Sequence, residues 1–129
     1  MKIAISGAHS QGKTTLVERL QKEEMFKDYV FCTNLTRSLK AKGFKINETG
    51  NVDTQITVMT EHWQRSFYGD NLVLDRCALD GIAYSCAVLL PSEVSESVYN
   101  ILCGLFAVTM VRYDVIFYIE PELPLVEDG

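Results

Sequence analysis

The run Gly7-Ala8-His9-Ser10-Gln11-Gly12-Lys13-Thr14, followed by Thr15 and Leu16, constrains this chain more than any other stretch. Two glycines with four residues between them, then Lys-Thr, match G-x-x-x-x-G-K-[ST], the spacing of a phosphate-binding loop. The flanks suit it. Lys2-Ile3-Ala4-Ile5-Ser6 reads as a short buried strand, and Thr15 to Leu20 as a helix with Leu16, Val17 and Leu20 on one face. Gly7 and Gly12 let the backbone turn tightly and come close to a polyphosphate. Successive N–H groups from Gly7 through Thr15 then point inward, and the helix N-terminus adds partial positive charge. In that arrangement Lys13 reaches the β- and γ-phosphates of ATP, and the Thr14 hydroxyl ligates Mg²⁺.

The rest of the chain alternates short apolar stretches with helical patterns. Tyr29-Val30-Phe31-Cys32 reads as a second strand. A helix is expected over Ser38 to Lys42, ending at Gly43. Lys45 to Val52 reads as a loop, with Asn47, Gly50 and Asn51 as turn residues. Asp53 is a suitable N-cap for the next helix, whose stripe is Ile56, Met59, Trp63 and Phe67, ended by Gly69-Asp70-Asn71. Leu72-Val73-Leu74 is a third strand, followed by a helix with Leu79, Ile82, Ala83, Cys86 and Leu90 on one face. Pro91 breaks that helix and Ser92 can cap the next, whose stripe is Val94, Val98, Ile101, Leu102, Leu105 and Thr109. Asp114 opens a fourth strand, Val115 to Ile119, and Pro121 and Pro124 end regular structure. Short apolar strands separated by helices imply an α/β fold, a parallel sheet with helices on both faces. Ligands then bind at the carboxyl ends of the strands. Three candidates fall there: the glycine loop, Thr36-Arg37 after strand two, and Asp75-Arg76 after strand three.

At 129 residues one domain is expected, and a 47% hydrophobic share with 22% charged residues is enough for a real core. The net charge of −5 argues against broad binding of duplex nucleic acid, while leaving room for a local basic pocket. No Lys or Arg follows Arg112, and Asp114, Glu120, Glu122, Glu127 and Asp128 lie beyond it. Cys32, Cys77, Cys86 and Cys103 form no C-x-x-C pair and read as buried free thiols of a reducing, cytoplasmic compartment. With His9 and His62 they make no zinc spacing. No signal peptide is evident, and the apolar run Ile101 to Val111 is too short to span a bilayer.

Leu72-Val73-Leu74-Asp75 is an apolar strand ending in a carboxylate, the Walker-B pattern in which the Asp holds Mg²⁺ directly or through water. Arg76 adds a fixed positive charge that can grip phosphate oxygens in bidentate fashion. Asp80, in the first turn of the next helix, is either part of this site or a partner of the helix dipole.

Gly7 to Thr14, Asp75-Arg76 and Thr36-Arg37 together resemble the P-loop nucleoside and nucleotide kinases, the thymidylate-kinase and deoxynucleoside-kinase group. The stretch from Leu74 to Tyr84 is also similar to small viral and bacterial ATPase/kinase domains of the nicotinamide-riboside-kinase type. The resemblance covers nearly the whole chain and implies a P-loop NTPase fold using ATP and Mg²⁺. It also implies that Arg37 matches in kind the residue that binds an acceptor phosphate in thymidylate kinases, although the usual Glu-Pro is replaced by Ser38-Leu39. Deoxynucleoside kinases carry a carboxylate at the end of strand two as general base. Here Cys32-Thr33-Asn34 stands there, which favours a nucleotide acceptor over a nucleoside. The resemblance further leads us to expect one domain over residues 1–129 without the arginine-bearing lid and adenine-binding loop.

The expected activity is ATP-dependent transfer of the γ-phosphoryl group to a nucleotide or similar small acceptor. Lys13 and Arg76 neutralise charge, Thr14 and Asp75 hold Mg²⁺, and Arg37 holds the acceptor. Trp63 and Gln64 could contact a base, with core packing the competing reading for Trp63. Two alternatives remain open. One is a kinase of a hydroxymethyl-pyrimidine base in viral DNA. The other is a P-loop ATPase or nucleotide-binding switch without an acceptor.

Overall fold

The structure, a computed structural model, describes residues 1–7, 12–44, 52–89 and 95–120. Ala8 to Gln11, residues 45–51 of the loop expected over Lys45 to Val52, and Leu90, Pro91, Ser92, Val94, Pro121 and Pro124 lie outside the described residues. The elements in chain order are β1 (Lys2–Ser6), α1 (Lys13–Gln21), a 3-10 turn (Glu24–Phe26), β2 (Val30–Cys32), α2 (Leu35–Ala41), α3 (Val52–Arg65), β3 (Leu72–Asp75), α4 (Ala78–Leu89), α5 (Glu96–Met110) and β4 (Val115–Tyr118). The strands form one parallel sheet in the order β2-β3-β1-β4. β1, which feeds the glycine loop, is therefore central, with Ile3 opposite Val73 on one side and Val115 on the other.

Alternation along the strands supplies two apolar faces. Ile5 and Val73 meet Val17 of α1, with Leu20, Phe26 and Tyr29 around them. Cys32, Leu72 and Leu74 point the other way, against Tyr113. Beyond that second face α3, α4 and α5 share a core of Met59, Ala78, Leu89 and Leu102. Both faces are covered, which gives the three-layer α/β arrangement expected for buried parallel strands.

Several boundaries and buried faces differ from expectation, each for a local reason. α1 starts at Lys13, two residues early, because Gly12 takes a left-handed φ of 83° and the helix begins at once. Of its expected face only Val17 is fully buried, and Leu16 is exposed. α2 starts at Leu35 rather than Ser38, because Asn34 turns the chain at φ 57°. Thr36 and Arg37 thus lie in its first turn, and Arg37 faces solvent. Val52 is already helical, so Asp53 sits within the first turn of α3 rather than at its cap.

The stripe expected on α3 is rotated. Its buried positions are Thr54, Gln55, Met59, His62 and Arg65. Trp63 instead packs edge-on to Phe67, 5.0 Å between ring centres. Phe67 lies past the helix end, 51% exposed, under the Arg112 guanidinium at 3.5 Å. On α4 the buried residues are the small ones, Ala78, Gly81 and Ser85, with Leu89, whereas Ala83 is exposed. Close approach is the cause: a Cβ on Gly81 would stand 2.6 Å from Met59 Sδ and 3.1 Å from His62 Cδ2. α5 is capped by Ser95, whose Oγ accepts from the Val98 N–H. Its buried stripe keeps Leu102 and Thr109 but leaves Ile101 exposed. β4 ends at Tyr118, one residue short of Ile119. All four cysteines are free, Cys32 and Cys77 buried and the other two partly so. No helix among the described residues is long and apolar enough to cross a membrane.

Candidate active site

The site forms where β1 and β3 end side by side, with Ile5 in register with Asp75. Gly7 follows β1 at φ 151°, and a Cβ there would lie 3.0 Å from the Ile119 carbonyl oxygen. Only glycine satisfies both conditions. Lys13, in the first turn of α1, donates from Nζ to the Gly7 carbonyl and is 5% exposed. Burial holds its pKa below the ordinary lysine value, and the Arg76 charge adds to that effect. Thr14 and Thr15, on the same turn, face solvent.

β3 delivers Asp75, whose carboxyl is pushed above the usual range by burial; the Arg76 and Lys13 charges oppose that shift. Arg76 sits in the left-handed region, φ 72°, while its N–H donates to the Ile5 carbonyl at 2.9 Å. A non-glycine residue in that region carries strain of about 1 kcal/mol or more. A carboxylate and a hydroxyl are hard oxygen donors suited to Mg²⁺. Asp75, at the end of β3, and Thr14, on the first turn of α1, are the residues that could supply such donors.

Asp80 resolves into something more specific than a helix-dipole partner. Its Oδ1 accepts from Ser6 Oγ and from the Gly7 N–H, each at 3.0 Å, and its Oδ2 accepts from the Cys77 N–H at 2.9 Å. Cys77 immediately precedes α4, so the last bond is one half of a capping box. The Tyr113 hydroxyl accepts the next free donor, the Ala78 N–H, at 3.0 Å. Asp80 thus joins the root of the glycine loop to the start of α4. Burial, with Asp80 adding to it, pushes the Cys77 thiol up to about 12, so it stays protonated and inert.

The buried polar face of α3 meets the end of β2 through Arg65 and packs on α4 through His62 and Gln55. Arg65 donates from Nη1 to the Thr33 carbonyl, just past β2, at 3.1 Å. Its Nε lies 3.5 Å from Glu61 Oε1, the two side chains being 11% and 16% exposed. Gln55, 1% exposed, accepts from Ser85 Oγ at 2.9 Å, and its Nε2 has no hydrogen-bond partner among the described residues.

His62 packs against Gly81, and burial lowers its pKa to about 4; the Asp80 charge opposes the shift and the Arg65 and Arg76 charges reinforce it. An unfolded histidine titrates near 6.5, so between those values the unfolded chain binds more protons. Stability is therefore full above 6.5 and falls as the pH drops towards 4. The loss at pH 5 is about 2 kcal/mol. Asp75, shifted upwards, works in the opposite direction. Urea midpoints at pH 7 and pH 5 should fall for the native chain and fall less for His62→Gln. Equal falls would place the acid sensitivity elsewhere.

Of the residues expected to act together, Lys13, Asp75 and Arg76 share one electrostatic neighbourhood that also includes Asp80. Thr14 lies on the turn that carries Lys13. Arg37 stands apart, exposed on α2, and Gln64 is exposed on α3. Trp63 is taken up by Phe67, which lies within 5.9 Å of Lys2 Nζ at the amino end of β1. Ala8 to Gln11 lie outside the described residues. Glu61, Arg65, His62 and Gln55 were not singled out from sequence. The available signal was a run of polar residues at helical spacing, Gln55, His62 and Arg65, around Met59.

A family model described as an AAA domain matches residues 2–129. Among solved structures, that of deoxyadenosine kinase from M. mycoides with bound dATP is similar, with a TM-score of 0.55 and 17% identity. The match covers 95% of this chain and 66% of that one, so the chain spans about two thirds of that kinase's length. At this identity the likeness is one of fold, the α/β P-loop NTPase fold. No curated protein matches the sequence.

Proposed function

The chain belongs to the AAA domain family, and on that premise we propose that it is an ATP-dependent phosphotransferase acting on a nucleoside- or nucleotide-class small molecule. The observation that carries this reading is the meeting of Lys13, Asp75 and Arg76 beside Gly7 at the carboxyl ends of β1 and β3. Phosphoryl transfer needs little covalent help from protein; it needs positioning and charge stabilisation in a place with little water. Lys13 is already buried and aimed at the glycine loop. In this reading it leaves the Gly7 carbonyl for the β- and γ-phosphates of ATP, and Arg76 neutralises charge on the group in transit. Residues 7–15 cradle the phosphates. Thr14 and Asp75 would hold Mg²⁺, which when bound offsets phosphate charge. Arg37, on the first turn of α2, would meet the acceptor from the solvent side.

Steady-state transfer from labelled ATP to a panel of nucleosides and nucleoside monophosphates tests the reading. A labelled acceptor is the expected result. ATP hydrolysis with no labelled acceptor anywhere in the panel would replace it with a P-loop ATPase or switch.

A further inference from the structure

From Ser97 to Val111, nearly the whole of α5, there is no charged residue, although 22% of the chain is charged. A helix that is apolar all round is ordinarily covered all round. Here one side is covered. Leu102 and Thr109 are buried, and Val98, Leu105, Phe106 and Met110 pack on the core shared with α3 and α4. The other side is open. Ile101 is 48% exposed, Val108 50% and Val111 83%. Gly104 lies between them, and a Cβ there would meet nothing within 4 Å among the described residues. A continuous apolar strip of this kind marks a contact surface.

The strip continues onto α3. Arg112, just past α5, donates from Nε to Ser66 Oγ, just past α3, at 2.8 Å. Val52 and Ile56, at the start of α3, share a core with Val98, near the start of α5. The two helices therefore run in the same direction, and the exposed Phe67 ring extends their outer face where they end. Two such helices side by side present a face of about 20 Å by 20 Å. With roughly 600 Å² of accessible surface on each copy, two faces together would bury about 1,200 Å², the lower end of the range for specific interfaces.

Charge is confined to the ends of α5. Glu96 stands exposed in its first turn and Arg112 just past its last. Neither has an ion pair among the described residues. Arg112 serves Ser66 through Nε and Nη2, which leaves Nη1. Gly104 lies eight residues from each. That is about 12 Å along the axis and roughly 80° around it, in opposite senses. A two-fold axis through Gly104, normal to the exposed face, reverses both senses. It sets each Arg112 opposite the partner's Glu96, lengthwise and sideways.

We infer that this face binds a second copy of the chain, as an antiparallel isologous dimer centred on Gly104. Self-complementarity is what singles out a second copy. The uncharged middle of α5 meets itself, each end meets the opposite charge, and the net charge of −5 is kept off the contact. Gly104 has no side chain to hold the two backbones apart, so Ile101 and Val108, one turn to either side, can reach across.

Sedimentation of the full chain from about 1 µM to about 1 mM, with thermal midpoints alongside, tests this. Gly104→Glu sets two carboxylates against each other on the axis. It leaves the monomer sound, because the position is open and glutamate favours a helix more than glycine does. The native chain should reach twice its monomer mass as concentration rises. Gly104→Glu should stay monomeric, with a midpoint no lower than that of the dilute native chain. Glu96→Lys should weaken the dimer about tenfold at low salt and less at high salt. A native chain that is monomeric throughout overturns the proposal. So does a dimer that Gly104→Glu leaves intact, or one that Glu96→Lys does not weaken.

Discussion

Lys13→Ala should slow phosphoryl transfer by about 1,000-fold and weaken ATP binding, while the nucleotide-free chain keeps its fold. The size follows from where the ammonium sits. A single preorganised donor aimed at developing charge in a water-poor site is worth about 100- to 1,000-fold in rate. Lys13 is 5% exposed and lies beside Arg76, a like charge. That environment disfavours its charged form in the free protein, so the ammonium gains more than a solvated lysine would when phosphate arrives. The same fact protects the fold. Removing a buried cation gives up the Nζ bond to the Gly7 carbonyl but also relieves desolvation and repulsion from Arg76. Calorimetric titration with ATP–Mg²⁺, single-turnover rates and a melting curve check each part. Native-like rates in Lys13→Ala would remove the glycine loop from the chemistry.

Asp80→Ala should be the most destabilising single change at the site, by on the order of 3–6 kcal/mol. Each buried donor stripped of its acceptor costs about 1–3 kcal/mol, and this substitution strips the Gly7 N–H, the Cys77 N–H and the Ser6 hydroxyl together. That is a large share of the 5–15 kcal/mol typical of a small domain. Asp80→Asn should cost less, because its carbonyl oxygen can still serve Ser6 and Gly7 while the amide nitrogen faces the Cys77 N–H. Urea unfolding of the two variants should therefore rank alanine well below asparagine. Equal losses would mean that the charge of Asp80, not its geometry, holds the joint.

The P-loop fold and the strand ending at Asp75 were legible because a glycine-rich loop between a strand and a helix dictates both residue type and spacing over a few adjacent positions. The order of elements was legible for a similar reason, since buried parallel strands must be short apolar runs between helices. The rest depends on contacts between distant positions. Asp80 meets Gly7 across 73 residues of chain, and no local pattern announces that bond. The face of α3 was misread because an apolar stripe was sought, whereas this helix turns Gln55 and His62 inward against α4 and Arg65 towards the end of β2. Arg37 was placed on a connection because Asn34 was not recognised as the left-handed residue that starts α2.

Gly7 is gripped from two sides, by Asp80 through its N–H and by Ile119, whose carbonyl would stand 3.0 Å from any side chain there. In mechanical terms it is a pivot without play. α4 pulls on it from one side and the end of β4 bears on it from the other. The root of the loop is thus tied to α4 and to the residue that follows β4 at a single position.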